Sequence, residues 1–355
     1  MPPSPPLLGV RRAATDPSGE TAHDDSGAFD ATLGDTPLRA ARAALAQGRR
    51  QAARALLART GDDWDRRGHR LTVLARDPYA AAWASDWLAA EPGSADAATL
   101  FALALVHRAL RGKEEAGPAR AACATAAAQA PADPTPWLGL LLLARAFGPR
   151  SVLFDTFAEL RRRHPEHHQG HHVLIACLAE RPGGGRAECH EAYDVAELAA
   201  ARAPADSPLA VLPVVAYAER YRVLAAAGLA PADPAASRHW SGPRARRLLR
   251  ASFDWWLEWE HDEHPRRLVD LNHLAFALSC AGRPAEAAAL FQRIGDHATP
   301  APWSYAHRDP RAAFRAARAR ALGPSGPRDT AGSDARPGAA HDWTWAWPDV
   351  TLGRE

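Results

Sequence analysis

The sequence contains few of the residues that most directly identify a class of protein. Only 4 of its 355 residues are cysteines, and no two of them form a Cys-x2-Cys pair. That spacing argues against a disulfide-rich scaffold and against a thiolate zinc knot. The formal net charge is only +2, whereas nucleic-acid-binding domains are usually far more basic. We therefore expect no nucleic-acid partner.

Long apolar runs and strand patterns are also lacking. No stretch reaches the ~20 apolar residues that a membrane-spanning helix requires. The N-terminal segment MPPSPPLLGVRR has no apolar run long enough for a signal peptide. We expect a cytoplasmic protein with reduced thiols and no membrane partner. Alternating Val/Ile/Thr runs are absent while Ala, Leu and Arg dominate, which predicts an all-α fold.

The clearest helical signal is a pair of apolar-striped segments between Pro134 and Pro165. Thr135-Pro136 suits a helix N-terminus, and Gly148-Pro149 separates the two helices. The tetratricopeptide pattern is Trp-x2-Leu-Gly-x2-Tyr, then Ala-x3-Phe, then Pro. The residues that fit it here are Trp137, Leu140, Phe157 and Pro165. This hairpin predicts a helical-repeat unit.

Weaker copies of the same unit occur elsewhere in the chain. They span about 36–59, 95–130, 170–203 and 266–294. A two-helix unit cannot bury its apolar face alone, so successive copies should stack. The prediction is an α-solenoid of tetratricopeptide-like antiparallel helix pairs over residues 36–320. We expect a disordered N-terminal tail at 1–35 and a flexible Gly/Pro-rich tail at 321–355.

Three segments resemble a bacterial family of tetratricopeptide-like domains of unassigned function, frequent in high-GC actinobacteria. They are DPTPWLGLLLLARAFG, RRRHPEHHQGHH and AYDVAELAAARAPADSPLAVLPVVAYAE, and the resemblance covers about Arg49 to Tyr221. Family members carry Lys-Trp-x-Gly-Ser after the cysteine equivalent to Cys177, where this chain has Leu178 to Gly184. The resemblance implies a fold and brings no catalytic residues.

Histidines form the most prominent chemical cluster. His164, His168 and His172 are four residues apart, which would align them on one continuous helix as ligands for zinc or nickel. Pro165 and Gly170 favour a turn through the middle instead, in which case the cluster is a solvated loop between repeats. A second short motif, His261-Asp-Glu-His264, is expected at an exposed helix end.

Tryptophans mark two candidate partner-binding regions. A helix from Pro243 to about His261 carries Trp255 and Trp259 on a stripe separate from its main apolar face, and tryptophan is a common interface residue. In the C-terminal tail, Trp343, Trp345 and Trp347 alternate along the chain, so an extended conformation would place all three rings on one side. They could bind a partner or dock on the chain's own helices.

The sequence contains no recognisable catalytic constellation. It has no Gly-rich phosphate loop and no Gly-x-Ser-x-Gly elbow. We therefore predict a non-enzymatic scaffold, without a cofactor, that binds an unidentified protein or peptide in the concave groove of the repeats. By resemblance to other such repeats, the groove-facing residues would include Arg145, Asn272 and Phe276, with Leu138, Leu142 and Ser279. The alternative prediction is a metal-dependent protein that uses the 164–172 cluster.

Overall fold

The computed structural model describes residues 29–181, 189–259 and 263–323. Within these ranges every regular element is a helix, which confirms the predicted all-α class. The described residues belong to one compact unit that ends at Gly323. The tail tryptophans Trp343, Trp345 and Trp347 lie outside the described residues. No helix within the described ranges is both long and apolar enough to cross a membrane.

The helices follow the chain order α1 to α16. The first eight are α1 (Thr36–Ala46), α2 (Arg50–Thr60), α3 (Trp64–Leu74), α4 (Ala80–Ala90), α5 (Ala95–Leu110), α6 (Ala116–Gln129), α7 (Thr135–Phe147) and α8 (Arg150–Arg163). The second eight are α9 (His168–Ala179), α10 (Glu191–Arg202), α11 (Leu212–Ala226), α12 (Pro243–Glu258), α13 (Arg267–Cys280), α14 (Pro284–Ile294), α15 (Pro300–Trp303) and α16 (Pro310–Leu322).

Side-chain caps and prolines set many of the helix boundaries. Asp63 accepts the Arg66 N–H at the start of α3, and Ser94 accepts the Ala97 N–H at the start of α5. Proline occupies the first turn of α7, α12, α14 and α16, where its missing N–H removes no helical bond. The predicted break at Gly148-Pro149 falls between α7 and α8.

Consecutive helices pack against each other across short connections. The most extensive packing joins α5 to α6, α13 to α14, α4 to α5, α7 to α8 and α1 to α2. Gly139 brings α7 against the preceding pair, because a Cβ at this position would lie 2.9 Å from Cys123 Sγ on α6 and 3.1 Å from Leu103 Cδ2 on α5. Any larger residue there would force these helices apart.

In the described part of the chain, apolar side chains form one large core cluster from α7 onward and two smaller ones formed mainly by the helices before α7. The large cluster contains a buried aromatic group, Trp240, Phe276, Phe291, Trp303 and Phe314, whose rings meet edge-on or tilted. The segment 228–242, between α11 and α12, contains two short 3-10 turns, one of which buries Trp240 in this group.

Candidate metal centre

Three segments that are far apart in the sequence meet at a buried polar centre. The first turn of α3 brings Asp65, the turn before α9 and its first residues bring five histidines, and α13 brings Asp270. The hydrogen bond between His168 and Asp270 joins residues 102 positions apart. Burial of so many titratable groups requires specific pairing between them.

Helix α9 begins within the histidine cluster because the cluster caps it. The His167 Nδ1 atom accepts the Gly170 N–H at 3.1 Å, and Asp65 Oδ1 accepts the His168 backbone N–H at 3.0 Å. His168 and His172 therefore lie on one face of α9, one turn apart. The turn expected through the middle of the cluster is present at 164–167, between the end of α8 at Arg163 and the start of α9 at His168, so the three predicted ligands do not share one continuous helix. The part of the expectation that depended on Gly170 is wrong, because Gly170 is helical.

The first turn of α9 requires a glycine at position 170 because there is no room for a side chain. A Cβ built on Gly170 would lie 2.8 Å from Leu160 Cδ2 and 3.4 Å from His167 Nδ1. The glycine thus lets α9 approach α8 closely and keeps the His167 cap in place. The sequence suggested a solvated loop, but His167, His168 and His171 are buried, which makes that interpretation wrong.

Two imidazoles and one carboxylate form a compact set of potential metal ligands. The His168 Nε2–H group donates to Asp270 Oδ2 at 2.7 Å, and His172 Nε2 lies 3.2 Å from Asp270 Oδ1. Each of these three residues has one potential ligand atom that lies within 4.8 Å of those of the other two. His168 and Asp270 are buried and His172 is half-buried.

Asp65 organises the remaining histidines on the other side of the centre. Its Oδ2 atom lies 3.0 Å from His164 Nε2 and 3.3 Å from His264 Nε2. The His264 ring also packs on the His168 ring, with 4.7 Å between their centroids. His264 was expected at an exposed helix end, yet only 11% of its side chain is exposed. Asp65 therefore ties together α3, the start of α9 and the segment before α13.

Burial keeps four imidazoles in and beside the centre neutral. It lowers the pKa of His168 to about 3, against the opposing effect of Asp270, and lowers the pKa values of His167 and His171 to about 4. His273, on the far side of His172, has its pKa lowered to about 4 by burial and by His172. Neutral imidazole is the form that coordinates metal ions.

The two carboxylates remain ionised inside the protein. Burial alone would raise the pKa of Asp65, but hydrogen bonds with His164 and His264 hold it well below its usual range. Burial likewise opposes ionisation of Asp270, and His168 and His172 outweigh it and lower that pKa. His164 has its pKa raised, because the hydrogen bond with Asp65 outweighs its own burial.

Several polar atoms of the centre have no hydrogen-bond partner among the described residues. They include His167 Nε2, His168 Nδ1 and Thr135 Oγ1. His167 Nε2 must carry the ring proton, because Nδ1 accepts the Gly170 N–H. A buried donor without an acceptor destabilises the folded state. The centre therefore contains more polar atoms than its own hydrogen bonds satisfy.

The sequence-predicted metal ligands are only partly brought together. His168 and His172 belong to the compact set, whereas His164 pairs with Asp65. Asp270, Asp65 and His264 were not among the predicted residues of the centre. A signal was present for Asp270, since it is a single carboxylate in the apolar run Leu268 to Leu278 of a core helix. Nothing in the sequence links it to a histidine 102 positions away.

Three predicted groove residues, Leu138, Asn272 and Phe276, are buried in this structure, so none of them is available to a partner. The Asn272 Nδ2 atom donates to the Leu268 and His297 carbonyls at 2.7 and 3.0 Å, and its Oδ1 atom accepts from Trp303 Nε1 at 2.7 Å. Phe276 lies in the aromatic group of the core. These last two residues hold α13 to the segment around Trp303.

Three further predicted partner-binding residues lie in the described part of the chain, and Arg145, Trp255 and Trp259 all keep some exposed surface. Arg145 donates to Glu180 at 2.9 Å and 32% of its side chain is exposed. Trp255 is half-buried and donates to the Ala205 carbonyl at 2.6 Å, while Trp259 is 37% exposed at the end of α12. That helix ends at Glu258, earlier than the predicted His261, which lies outside the described residues.

Comparison of the chain with protein-family models, with curated proteins and with solved structures gave no match.

Proposed function

We propose that the protein binds a divalent first-row transition metal through His168, His172 and Asp270. The observation that carries the proposal is the compact set itself, with a ligand atom of each residue within 4.8 Å of the other two. Two ligands of one tetrahedral ion lie roughly 3.3–3.6 Å apart, given metal–ligand bonds of about 2.0–2.2 Å. Small side-chain movements would therefore convert the present arrangement into a coordination site.

The ligand types favour particular metals. Imidazole nitrogens suit Zn²⁺, Ni²⁺, Cu²⁺ and Fe²⁺, and the absence of thiolates from the set disfavours Cu⁺. Two histidines and one carboxylate leave at least one coordination position for water or another ligand. Catalytic metal sites keep such a position open, whereas structural zinc sites normally have four protein ligands. The proposal therefore extends to metal-dependent chemistry at this centre.

The surroundings of His168 set the expected strength of binding. Coordination through Nε2 would place the ring proton on Nδ1, which is buried and has no partner in the described part of the chain. Metal-binding histidines usually donate this proton to a carboxylate or carbonyl, and losing such a partner costs about 10- to 100-fold in affinity. We expect binding to be weaker by that factor than at a fully supported site.

The direct test is a zinc and nickel titration by calorimetry, paired with thermal melting. Metal at one hundred times its dissociation constant should stabilise the fold by about 2.7 kcal/mol. For a chain of this size that corresponds to a rise in Tm of roughly 5 °C. No heat of binding and no change in Tm with either metal would contradict the proposal.

Two variants separate this site from the one that the sequence spacing suggests. Asp270→Asn should abolish the stabilisation by metal, because it removes a charged ligand. His164→Gln should retain it, because His164 bonds to Asp65 and not to the compact set. Both variants are melted without metal first, so that a change in folding is not read as lost binding. The opposite pattern would assign the site to His164, His168 and His172.

We also infer that the helix pairs form a tetratricopeptide-like solenoid. The support comes from the packing of α1 on α2, α5 on α6, α7 on α8 and α13 on α14, and from the close approach of α7 to the preceding pair at Gly139. A solenoid of this kind unfolds through partly folded species when its terminal repeats are weakened. Native-state hydrogen exchange that shows graded stability along the chain would support the inference, and a single cooperative unit would not.

A partner-binding function is the second candidate, because α12 ends in an exposed apolar surface. This α12 surface consists of Trp255, Leu257 and Trp259, of which Leu257 is 51% exposed. Large side chains grouped in this way are typical of binding sites for a protein or peptide. Arg145 and the tail tryptophans remain further candidates.

The α12 surface can be tested by affinity capture from native lysate. A Leu257→Asp, Trp259→Asp variant is compared with Leu229→Asp, which changes an isolated leucine that is 76% exposed. A partner lost only with the first variant would support the α12 surface. A partner kept by both but lost from a chain that ends before Ala340 would assign binding to Trp343, Trp345 and Trp347.

A further inference from the structure

An arginine lies at the edge of the metal centre, immediately before α13. Arg266 precedes Asp270 by four residues, so their side chains are neighbours on successive turns. The Arg266 backbone N–H donates to His264 Nδ1 at 3.2 Å. The same segment is held against α3, because the Arg66 Nη2 atom donates to the Glu263 carbonyl at 2.9 Å. Arg266 is therefore positioned where α13 and α3 meet, beside the proposed metal ligands.

The guanidinium of Arg266 has no hydrogen-bond acceptor and no ion-pair partner among the described residues. Its Nε atom is buried and unpartnered. The two terminal nitrogens also lack a partner, but they are not enclosed, and the side chain as a whole is half-buried. A ligand can therefore reach the terminal nitrogens. A partly buried cation without a counter-charge destabilises the folded state, so binding of an anion here would be favourable.

The charge of Arg266 persists at neutral pH, and its surroundings offset it only in part. Burial lowers the pKa of Arg266 to about 10 and Arg76 acts in the same direction, whereas Asp270 and Asp65 raise it. Burial and Arg266 together lower the pKa of His69, on α3, to about 3, so the guanidinium acts on that helix as well. Asp270 and Asp65 are thus the compensating groups, and neither is hydrogen-bonded to Arg266.

A bound metal ion would take over these two negative charges. A divalent ion at the site proposed above, on which this inference rests, would be balanced by Asp270 together with Asp65. Arg266 would then keep no counter-charge. The ion would also have at least one coordination position that His168, His172 and Asp270 do not fill. The metal-loaded centre therefore attracts an anion, whereas the two carboxylates of the metal-free centre repel one.

We propose that a small carboxylate binds between the metal ion and Arg266, and that carboxylates are the substrate class of this centre. A guanidinium presents two parallel N–H groups, which match the two oxygens of a carboxylate. A carboxylate brings one negative charge, which balances Arg266, whereas sulfate brings two. Because Arg266 is half-buried, the anion must be small or must enter by its carboxylate end.

The experiment is a titration of the full chain, loaded with Co²⁺, with sodium acetate at pH 7.5 and constant ionic strength. Cobalt belongs to the same series of divalent ions as zinc and nickel, and its visible spectrum changes when a ligand is added. We expect acetate to change the spectrum saturably, and sulfate to bind at least about tenfold more weakly. No spectral change with acetate, or an affinity for sulfate as high as that for acetate, would overturn the inference.

The same titration distinguishes failure of this inference from failure of the metal site. If cobalt binds and acetate does not, the carboxylate site is wrong and the metal site stands. If cobalt itself does not bind, both are wrong.

Two variants test the role of Arg266. Arg266→Gln removes the charge and should weaken acetate binding by about tenfold or more. Its affinity for cobalt should stay equal or rise, because a cation near the metal is lost. Arg266→Lys keeps the charge but not the paired N–H groups, so its affinity for acetate should lie between those of Arg266→Gln and the original chain.

Arg59→Gln is the matched control, since it removes the charge of an exposed arginine elsewhere. It should change neither affinity. Acetate binding that is unchanged in Arg266→Gln, or weakened as much in Arg59→Gln, would overturn the inference. Loss of cobalt binding in both Arg266 variants would do so too, because Arg266 would then support the metal ligands and not the anion.

Discussion

Two buried charged clusters share helix α3, and they differ in how completely their polar atoms are paired. In the Arg67 cluster, the guanidinium donates to Asp133 Oδ2 at 2.9 Å and to Asp96 Oδ1 at 2.5 Å, while Asp133 Oδ1 accepts the Thr135 N–H at 2.7 Å. Two residues earlier, Asp65 belongs to the metal centre, where His167 Nε2 and His168 Nδ1 have no partner.

This difference distinguishes a cluster with a structural role from one that can bind a ligand. A buried charged group that is fully paired needs nothing further and serves to hold its helices together. The acidic partners raise the pKa of Arg67 despite its burial, so the charge persists at any ordinary pH. A cluster with unpaired atoms carries a cost that only another molecule or ion can remove. The following predictions test this division, in order of decreasing effect.

Arg67→Ala should have the largest effect on folding. It would leave Asp133, which is 1% exposed, as an uncompensated buried charge. Breaking a buried ion pair in this way typically costs about 3–5 kcal/mol. Urea denaturation measures the loss, and zinc should still raise the Tm of the variant. A variant as stable as the original chain would contradict the structural role of this cluster.

Gly170→Ala should have an intermediate effect that falls on both folding and metal binding. The added methyl would meet Leu160 at 2.8 Å, and overpacking of this kind costs about 1–3 kcal/mol. Because the helix that carries His168 and His172 must shift, the affinity for zinc should fall as well. Gly117→Ala is the matched control, since nothing lies within 4 Å of a Cβ there. If the affinity for zinc is unchanged in Gly170→Ala, the α8–α9 contact does not determine the positions of the metal ligands.

Histidines outside both clusters should also make stability depend on pH, and the half-buried His239 is an example. Burial lowers the pKa of His239 to about 4 from its ordinary value of 6.5, while its Nε2–H donates to the Tyr217 carbonyl at 2.8 Å. The unfolded chain therefore takes up this proton first, and stability is lost as pH falls from about 6.5 to 4. One proton contributes at most about 1.4 kcal/mol per pH unit.

His239→Gln isolates this contribution, because the glutamine amide can also donate to the Tyr217 carbonyl but does not titrate. The free energy of unfolding of the variant, measured by urea denaturation across pH 4–7, should fall less steeply as pH decreases. Identical slopes for the two proteins would show that His239 does not contribute.

Asp96→Asn should have the smallest effect. Arg67 would keep its bond to Asp133, and the Asp96 side chain is 22% exposed, so water can replace part of what is lost. We expect a loss under about 1 kcal/mol by urea denaturation. A loss as large as that of Arg67→Ala would mean that the three charges act as one unit.

The sequence predicts the helices of this protein better than its candidate site. Helix breaks at Gly148-Pro149 and before Pro165 follow from local chemistry, and the structure has both. The spacing of His168 and His172 also predicts a shared helix face. The effect of Gly170 was misjudged, because its close contact with Leu160 is a tertiary feature. Asp65 and Asp270 could not be assigned, since no local pattern reports on a contact about 100 residues away.

The distance along the chain between the groups of the metal centre has a consequence for how the protein is made. Asp65 bonds to His168 across 103 residues, and His168 bonds to Asp270 across a further 102. During synthesis the centre cannot form until Asp270 has left the ribosome, and closing two such loops delays its contacts relative to the local hairpins. The centre would therefore form only in chains translated at least as far as α13, and its appearance would mark the completion of this part of the fold.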